Sequence, residues 1–246
     1  MILLSNGCSH TSGAELDENN TDFCYEKAWP KHLADILGYR NINLARSGSS
    51  NDRILRTTYM WLSNYIAAGK DISKLFVVIL WTGIYRTELA TDDLENSVFY
   101  DNGWLPLIVG NDDQYKKFFD NHTYVYYKAW VANNNTRYNH TRFYMNILGM
   151  QYLLNSYKIP YLFWNSSVAL LDTTPDTKTF FNLINKKHFP YANNNHFNHL
   201  QIAKRRNYKL SDISAKGNFK SHYDENAQKD FAKYLFKIIT SKELFK

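Results

Sequence analysis

Cysteine is nearly missing from the chain: Cys8 and Cys24 are the only two in 246 residues. Two cysteines cannot build a disulfide framework or a four-cysteine zinc site, so the expected setting is a reducing one. Glycine (10) and proline (5) are also sparse, which argues against collagen-like or linker-rich architecture and against an all-β design with many tight turns. Long apolar runs are lacking. The densest, Phe76–Trp81, falls far short of the ~18–20 residues that a membrane-spanning helix needs. The start, Met1-Ile2-Leu3-Leu4-Ser5-Asn6-Gly7, lacks the basic residues and the apolar stretch of about 7–15 residues that mark a signal peptide. It reads as a strand running into a turn. Without export, triplets such as Asn121-His122-Thr123 and Asn139-His140-Thr141 carry no glycosylation meaning. Neither a glycine-rich phosphate loop nor an internal repeat is visible.

What is present is core-forming material. Aromatics make up 16% of the chain, with 19 Tyr, 15 Phe and 6 Trp, far too many for a disordered polymer. A chain of this length buries roughly 70–75% of its unfolded surface, enough for one large α/β domain or two small ones. The net charge of +6 is uneven. Residues 186–246 hold 13 Lys and Arg against 5 Asp and Glu, leaving 16 against 18 before them. Such a tail reads either as attraction to nucleic acid or another polyanion, or as a solvated lysine-rich surface.

Hydrophobic spacing sets out alternating strands and helices. Ile2-Leu3-Leu4 is a buried strand ended by Asn6-Gly7. Trp29, Leu33, Ile36 and Leu37 recur at helical spacing over 28–37, with Pro30 in the first turn and Gly38 at the stop. Residues 41–45 read as a second strand, and 51–67 as a long helix with Ile54, Leu55, Thr58, Leu62, Tyr65 and Ile66 on its apolar stripe. Phe76–Leu80 is a strand covered on both faces. Residues 92–140 are aromatic, Asn-rich and weakly periodic, and are expected to be an insertion in which Tyr124–Tyr127 is the one extended piece. A helix over 141–157, a strand over 161–164, a helix near 176–187, a loop-rich stretch over 188–221 and a helix over 224–240 complete the chain, with Asp224 as the last helix's N-cap. This alternation predicts an open, mainly parallel sheet with helices on both faces. In such sheets chemistry sits beyond the carboxyl ends of the strands, where Asn6-Gly7-Cys8-Ser9, Arg46-Ser47-Gly48-Ser49 and Trp81-Thr82-Gly83 should converge.

Ser9 follows the strand-ending Gly7 on a sharp turn that would lift its hydroxyl and its own N–H toward one spot, as an acyl-transfer nucleophile requires. A serine there also serves simply to cap a turn. His222 stands just before a capped helix, fixed yet reachable. Taken together, these blocks resemble the SGNH (GDSL-type) hydrolase family. The family's first block, Gly-Asp-Ser-x-Thr-x-Gly, matches Gly7, Ser9, Thr11 and Gly13, with Cys8 in place of Asp. Its second-block glycine matches Gly48. Its last block, Asp-x-x-His-Pro before a helix, matches His222, with Ala232 ten residues on and Tyr223 in place of Pro. More narrowly, residues 6–13, 48–53 and Trp81-Thr82 are similar to a phage-type SGNH-like subgroup.

The resemblance implies one SGNH-like domain over 1–246, a flavodoxin-like three-layer α/β/α sandwich with about five strands. It implies Ser9 as nucleophile, His222 as general base, and the N–H groups of Ser9 and Gly48 as oxyanion donors, with no metal or cofactor. Two departures stand out. Leu80-Trp81-Thr82-Gly83 replaces the third block, Gly-x-Asn-Asp, so Thr82 is the candidate for the missing side-chain donor. Asn51-Asp52 follows the wrong strand, and Asn51 reads as a helix cap. The triad acid's position, three residues before His222, holds Phe219. Either Asp212 in the preceding loop supplies the carboxylate, or a backbone carbonyl orients His222 in a Ser–His dyad.

The expected function is therefore a serine ester hydrolase acting on a small ester or acylated glycan, acetyl esters above all, in the cytoplasm or associated with a virion. A non-catalytic SGNH-like binding or phage structural module is the first alternative, motivated by the absent Asn and Asp. A basic nucleic-acid-associated protein is the second, pointed to by Lys204-Arg205-Arg206 near Tyr208. Arg86 and Glu88 are candidates for substrate binding or for a simple ion pair. His188, His196 and His199 have the outline of a weak metal site, and Cys8 beside His10 that of a reactive thiol or of a buried structural cysteine.

Overall fold

The computed structural model describes residues 1–20, 23–90, 103–167, 175–212 and 222–244. The chain opens with β1 (Ile2–Asn6), a one-turn α1 (Ser9–Ser12), α2 (Trp29–Leu37), β2 (Arg40–Asn43), α3 (Asn51–Ala67) and β3 (Leu75–Trp81). Next come β4 (Arg86–Ala90), β5 (Trp104–Ile108), α4 (Asp112–Phe118), α5 (Asn121–Ala132) and α6 (Thr136–Ser156). β6 (Tyr161–Asn165), α7 (Pro175–Leu183), α8 (His199–Arg205) and α9 (Glu225–Ser241) follow.

β1 pairs in parallel with β2 on one side and β3 on the other, and β3 pairs in parallel with β6, giving the order β2-β1-β3-β6. The side-chain period of two then sorts the core. Val77, Ile79 and Trp81 pack with Ile54, Leu62 and Ile147 of α3 and α6. Phe76, Val78 and Leu80 pack with Trp29, Leu33, Phe231 and Leu235 of α2 and α9. Both faces of the sheet are covered, which is why β3 reads as an unbroken apolar run. The result is a three-layer α/β/α sandwich, and the strand order reverses between β1 and β3, the place where such sheets bind ligands.

α9 is fastened by sequence features already legible. Asp224 accepts from the Ala227 N–H at 3.0 Å as N-cap, and Phe231, Leu235 and Ile239 are buried, each contributing roughly 1.5–3 kcal/mol. That stripe anchors the segment carrying His222 two residues before the cap. At the other end of the site, Gly13 caps α1 with φ +77°, and a Cβ there would collide with the Cys24 carbonyl oxygen. Gly13→Ala is expected to destabilise the fold by about 2 kcal/mol or more, read as a fall of about 4–8 °C in Tm; an unchanged Tm would show the turn can relax.

Several expectations are corrected. Among the described residues the parallel sheet has four strands, against about five expected, and β4 and β5 pair with each other as a separate antiparallel hairpin that the sequence reading did not foresee. Tyr124–Tyr127 is helical, inside α5. Its aromatic β-propensity is overridden by packing: Tyr127 meets Tyr115, Leu105 and Leu107 in a small cluster under the hairpin, and Asp120 caps the helix by accepting from Thr123 N–H at 2.8 Å. α6 starts at Thr136 rather than 141, and the stretch 188–221 contains α8. Ser50, not Asn51, caps α3 by accepting from Arg53 N–H at 3.1 Å. Phe219 lies outside the described residues. No helix among those described is long and apolar enough to cross a membrane.

Candidate active site

Asparagines hold the strand ends in place. Asn6, the last residue of β1, donates from Nδ2 to the Ile54 carbonyl and to the Thr57 and Thr58 hydroxyls at 2.8–3.1 Å, while its Oδ1 accepts from Gly7 N–H at 2.8 Å. Asn43, at the end of β2, donates to the Thr11 carbonyl at 2.8 Å. Asn51 reaches from α3 to the end of β3, accepting from Thr82 N–H at 2.9 Å and donating to the Thr82 carbonyl at 3.0 Å. The carboxyl ends of β1 and β3 are thereby tied to α3 and that of β2 to α1, and buried amides such as those of Asn6 and Asn51 are costly to leave unpaired. None of these roles is visible from a single strand-end residue read alone.

On this frame the chain lifts Ser9 into the first position of α1. Cys8 precedes it as N-cap, its carbonyl accepting from Thr11 and Ser12 N–H at 2.8 and 3.0 Å. The Ser9 N–H is one of the donors that a helix start leaves unspent. Gly48, with φ +79° on the loop after β2, likewise spends its N–H on no carbonyl among the described residues. Thr82 differs: its N–H is occupied by Asn51, so only its hydroxyl remains as a donor. Cys8 is 1% exposed, matching a buried structural cysteine rather than a reactive thiol.

His222 stands against this turn, with its ring 4.7 Å from that of His10, the residue after Ser9. Its Nδ1 lies 3.2 Å from Glu15 Oε2, and its backbone N–H donates to the same oxygen at 3.1 Å. Glu15 is 3% exposed and sits in the left-handed region at φ +63°, the kind of strained backbone that persists where surrounding structure over-determines it. The Ser211 hydroxyl bonds the Glu15 carbonyl, and Ser211 N–H donates to the His222 carbonyl at 2.8 Å, so the loop before α9 is stitched to the turn after α1. The carboxylate on His222 Nδ1 is that of Glu15, a buried acid, whereas Asp212, the acid expected from the sequence, is exposed. Glu15 escaped sequence reading because it lies 207 residues from His222. Nothing local distinguishes an acid between Ala14 and Leu16 from a solvated one.

Burial holds the His222 imidazole below the usual histidine range, with the Arg86 charge acting in the same direction and Glu15 opposing both. His10 is pushed well below that range by burial and by His222. His199, buried against Phe231, is pushed down to about 3. All three imidazoles are thus neutral at neutral pH.

Other sequence candidates are dispersed. Glu88 is held by Arg56 through two bonds of 2.8 Å, so the ion pair it makes is with α3 and not with Arg86. Asp52 accepts from Thr87 and Asn146 at 2.9 Å, bracing α3 against β4 and α6. His188 stacks on Tyr161 and bonds its carbonyl, far from the role His199 plays beside His10. No group of three His, Cys, Asp or Glu among the described residues is placed to hold a metal ion. In the basic run, Arg206 pairs with Asp230 and Arg205 bonds the His196 carbonyl, so two of its three charges are engaged within the fold.

A family model described as a family of unknown function, DUF6071, matches residues 13–179. The chain belongs to the DUF6071 family. The matched span of this DUF6071 chain includes Glu15, Gly48, Asn51, Thr82 and Arg86, and stops short of Ser9 and His222. The comparison with curated proteins found no match. Solved structures similar to the DUF6071 chain include a G-D-S-L-family protein described as lipolytic from Desulfitobacterium hafniense DCB-2 (13% identity over 96% of this chain and 98% of that one, TM-score 0.41). The esterase EstA from Pseudoalteromonas sp. is 14% identical over 98% and 97%, with a TM-score of 0.45. The acetyl xylan esterase Est2A from Butyrivibrio proteoclasticus is 10% identical over all of this chain and 65% of that one, with a TM-score of 0.47.

Proposed function

We propose that the protein is a serine ester hydrolase of SGNH type, working through an acyl-enzyme on small acyl esters, acetyl esters of a glycan above all. The observation that carries this reading is the paired bond of Glu15 Oε2 with His222 Nδ1 and N–H. A carboxylate on Nδ1 fixes the proton there and leaves Nε2 as the base, the tautomer that serine activation needs. Ser9 Oγ attacks the ester carbonyl carbon while His222 Nε2 takes its proton, and Glu15 stabilises the imidazolium. The oxyanion is received by the N–H groups of Ser9 and Gly48, each commonly worth ~2.7–4 kcal/mol in the transition state, with the Thr82 hydroxyl as third donor. Collapse expels the alcohol, protonated by His222, and water then cleaves the acyl-enzyme by the reverse proton path. Short and polar neighbours, Ser49 and Thr82 among them, favour a small acyl group. In this reading the whole chain is one such domain carrying the 92–140 insertion, it belongs with the phage-type subgroup that its sequence blocks resemble, and it works in the cytoplasm or associated with a virion.

The rival reading is a pocket that binds without cleaving: among the described residues the His222 ring pairs with Glu15 and the Ser9 hydroxyl makes no hydrogen bond to it. Catalytic hydrogen bonds often tighten only when substrate is bound. Intact-mass detection of a fluorophosphonate adduct, mapped to a peptide, separates the two. Labelling at Ser9 supports an activated serine; an unlabelled folded protein that also leaves small aryl acetates intact leaves the binding module.

The pH profile follows from His222. Because its pKa lies below the ordinary 6.5, the base is free at neutral pH. The rate should be level there and fall about tenfold per pH unit only once His222 is protonated. A limb with its midpoint at or above about 7 would contradict a buried imidazole as the base.

A further inference from the structure

The hairpin beside the site brings arginines toward the loop after β2, and their partners differ. Arg56 is neutralised by Glu88 and lies 4.5 Å over the Trp104 ring. Arg142 lies 3.5 Å from Asp52 and donates to the Arg86 carbonyl. Those two arginines use the carboxylates of α3 and β4. Arg86 is left with none among the described residues: its guanidinium makes a single bond, from Nη1 to the Ser49 carbonyl at 3.4 Å. Arg53 also reaches Ser49, at its hydroxyl, 3.2 Å away, so two guanidinium groups meet on the residue next to Gly48. Arg86 is close enough to act electrostatically on both His10 and His222, and it is only partly buried. A partly buried cation with most of its five N–H donors unspent among the described residues is an unfilled half of an ion pair.

We infer that Arg86 is the anchor for an anionic group on the substrate, so that the preferred ester is one whose alcohol carries a carboxylate, such as an acylated acidic sugar. This deepens the hydrolase reading and rests on it for the word substrate, but the anion site itself does not depend on turnover. The planar guanidinium fork matches a carboxylate in a bidentate way that a lysine cannot. Its place beside Ser49 puts the anion next to Gly48, on the hairpin side of the reacting carbonyl.

The test uses the full chain and a matched pair of uncleaved ligands, 4-acetamidobenzoate and its methyl ester, measured by equilibrium binding. The carboxylate should bind about tenfold more tightly than the methyl ester, and that ratio should shrink as salt rises from about 0.05 M to about 0.5 M. In Arg86→Gln the ratio should collapse toward one, and in Arg86→Lys part of it should return because the charge but not the fork is kept. Equal binding of the two ligands by the wild type, or a preference that survives in Arg86→Gln, overturns the inference. The corresponding acetoxy esters are then offered as substrates. If the binding preference holds and neither ester is cleaved, the anion site stands and the hydrolase reading falls; if both are cleaved without charge preference, the reverse is true. Should Arg86→Gln fail to fold, the salt dependence of the wild type and the Arg86→Lys ratio decide the matter.

Discussion

Ser9→Ala is expected to lower kcat for small aryl acetates by about 10⁴–10⁶-fold and to erase the fluorophosphonate adduct. Ser9 opens α1 on the turn after β1, so the substitution removes the attacking atom while leaving its backbone N–H, and that of Gly48, to receive an oxyanion. The rate that survives is what those donors and binding supply, about 10³–10⁴ over water in well-studied serine hydrolases. His222→Ala should cost a similar factor, and the double variant little more, because members of one proton-transfer unit are not additive. The effect is chemical rather than structural: the Ser9 hydroxyl bonds no described residue, so thermal unfolding should hardly move. Adduct or turnover persisting in Ser9→Ala would mean another atom is the nucleophile.

Glu15→Gln is the second large effect, an expected loss of about 10²–10⁴-fold in kcat. Glutamine has nearly the same shape, but the place of Oε2 serves both His222 donors at once. An amide oxygen there keeps the two bonds without the negative charge that stabilises the imidazolium; an NH₂ there loses both and draws the ring proton to Nε2, where it blocks transfer from Ser9. A pH profile tells this apart from simple damage to the fold. The carboxylate raises His222's affinity for a proton, so its removal should move the acidic limb to lower pH, whereas a purely structural role would reduce Tm without moving the limb. Asp212→Asn is the contrast, since it alters an exposed carboxylate and should leave the limb in place. A limb that shifts in Asp212→Asn and not in Glu15→Gln would return the acid's role to the loop before α9.

Much of the layout was legible because local pattern and tertiary demand agree. β3 is an apolar run since both of its faces are covered, and α3 runs over Asn51–Ala67 where its stripe and polar start put it. Asp224 caps α9 as its position predicts. Pattern failed where partners are remote. Tyr124–Tyr127 looks extended until Tyr127 is needed against Tyr115 under a hairpin that no local signal announces. Asn51 looks like a cap, yet Ser50 does that work and leaves the Asn51 amide free to bind Thr82.

The same division runs through the site. From sequence alone came an α/β chain with Ser9, Gly48 and the end of β3 at the carboxyl edge of a sheet, because strand ends are read from short-range periodicity and turn residues. It also supplied His222 on the approach to a capped helix. The partner of that histidine could not be read, because hydrogen bonding between residues 207 positions apart leaves no periodic trace in either segment. Tertiary structure alone brought the buried Glu15 to His222 Nδ1 and left Arg86 without a carboxylate among the described residues. Which charges are compensated depends on distances across elements, and those are set only when the sheet, the hairpin and α9 have packed together.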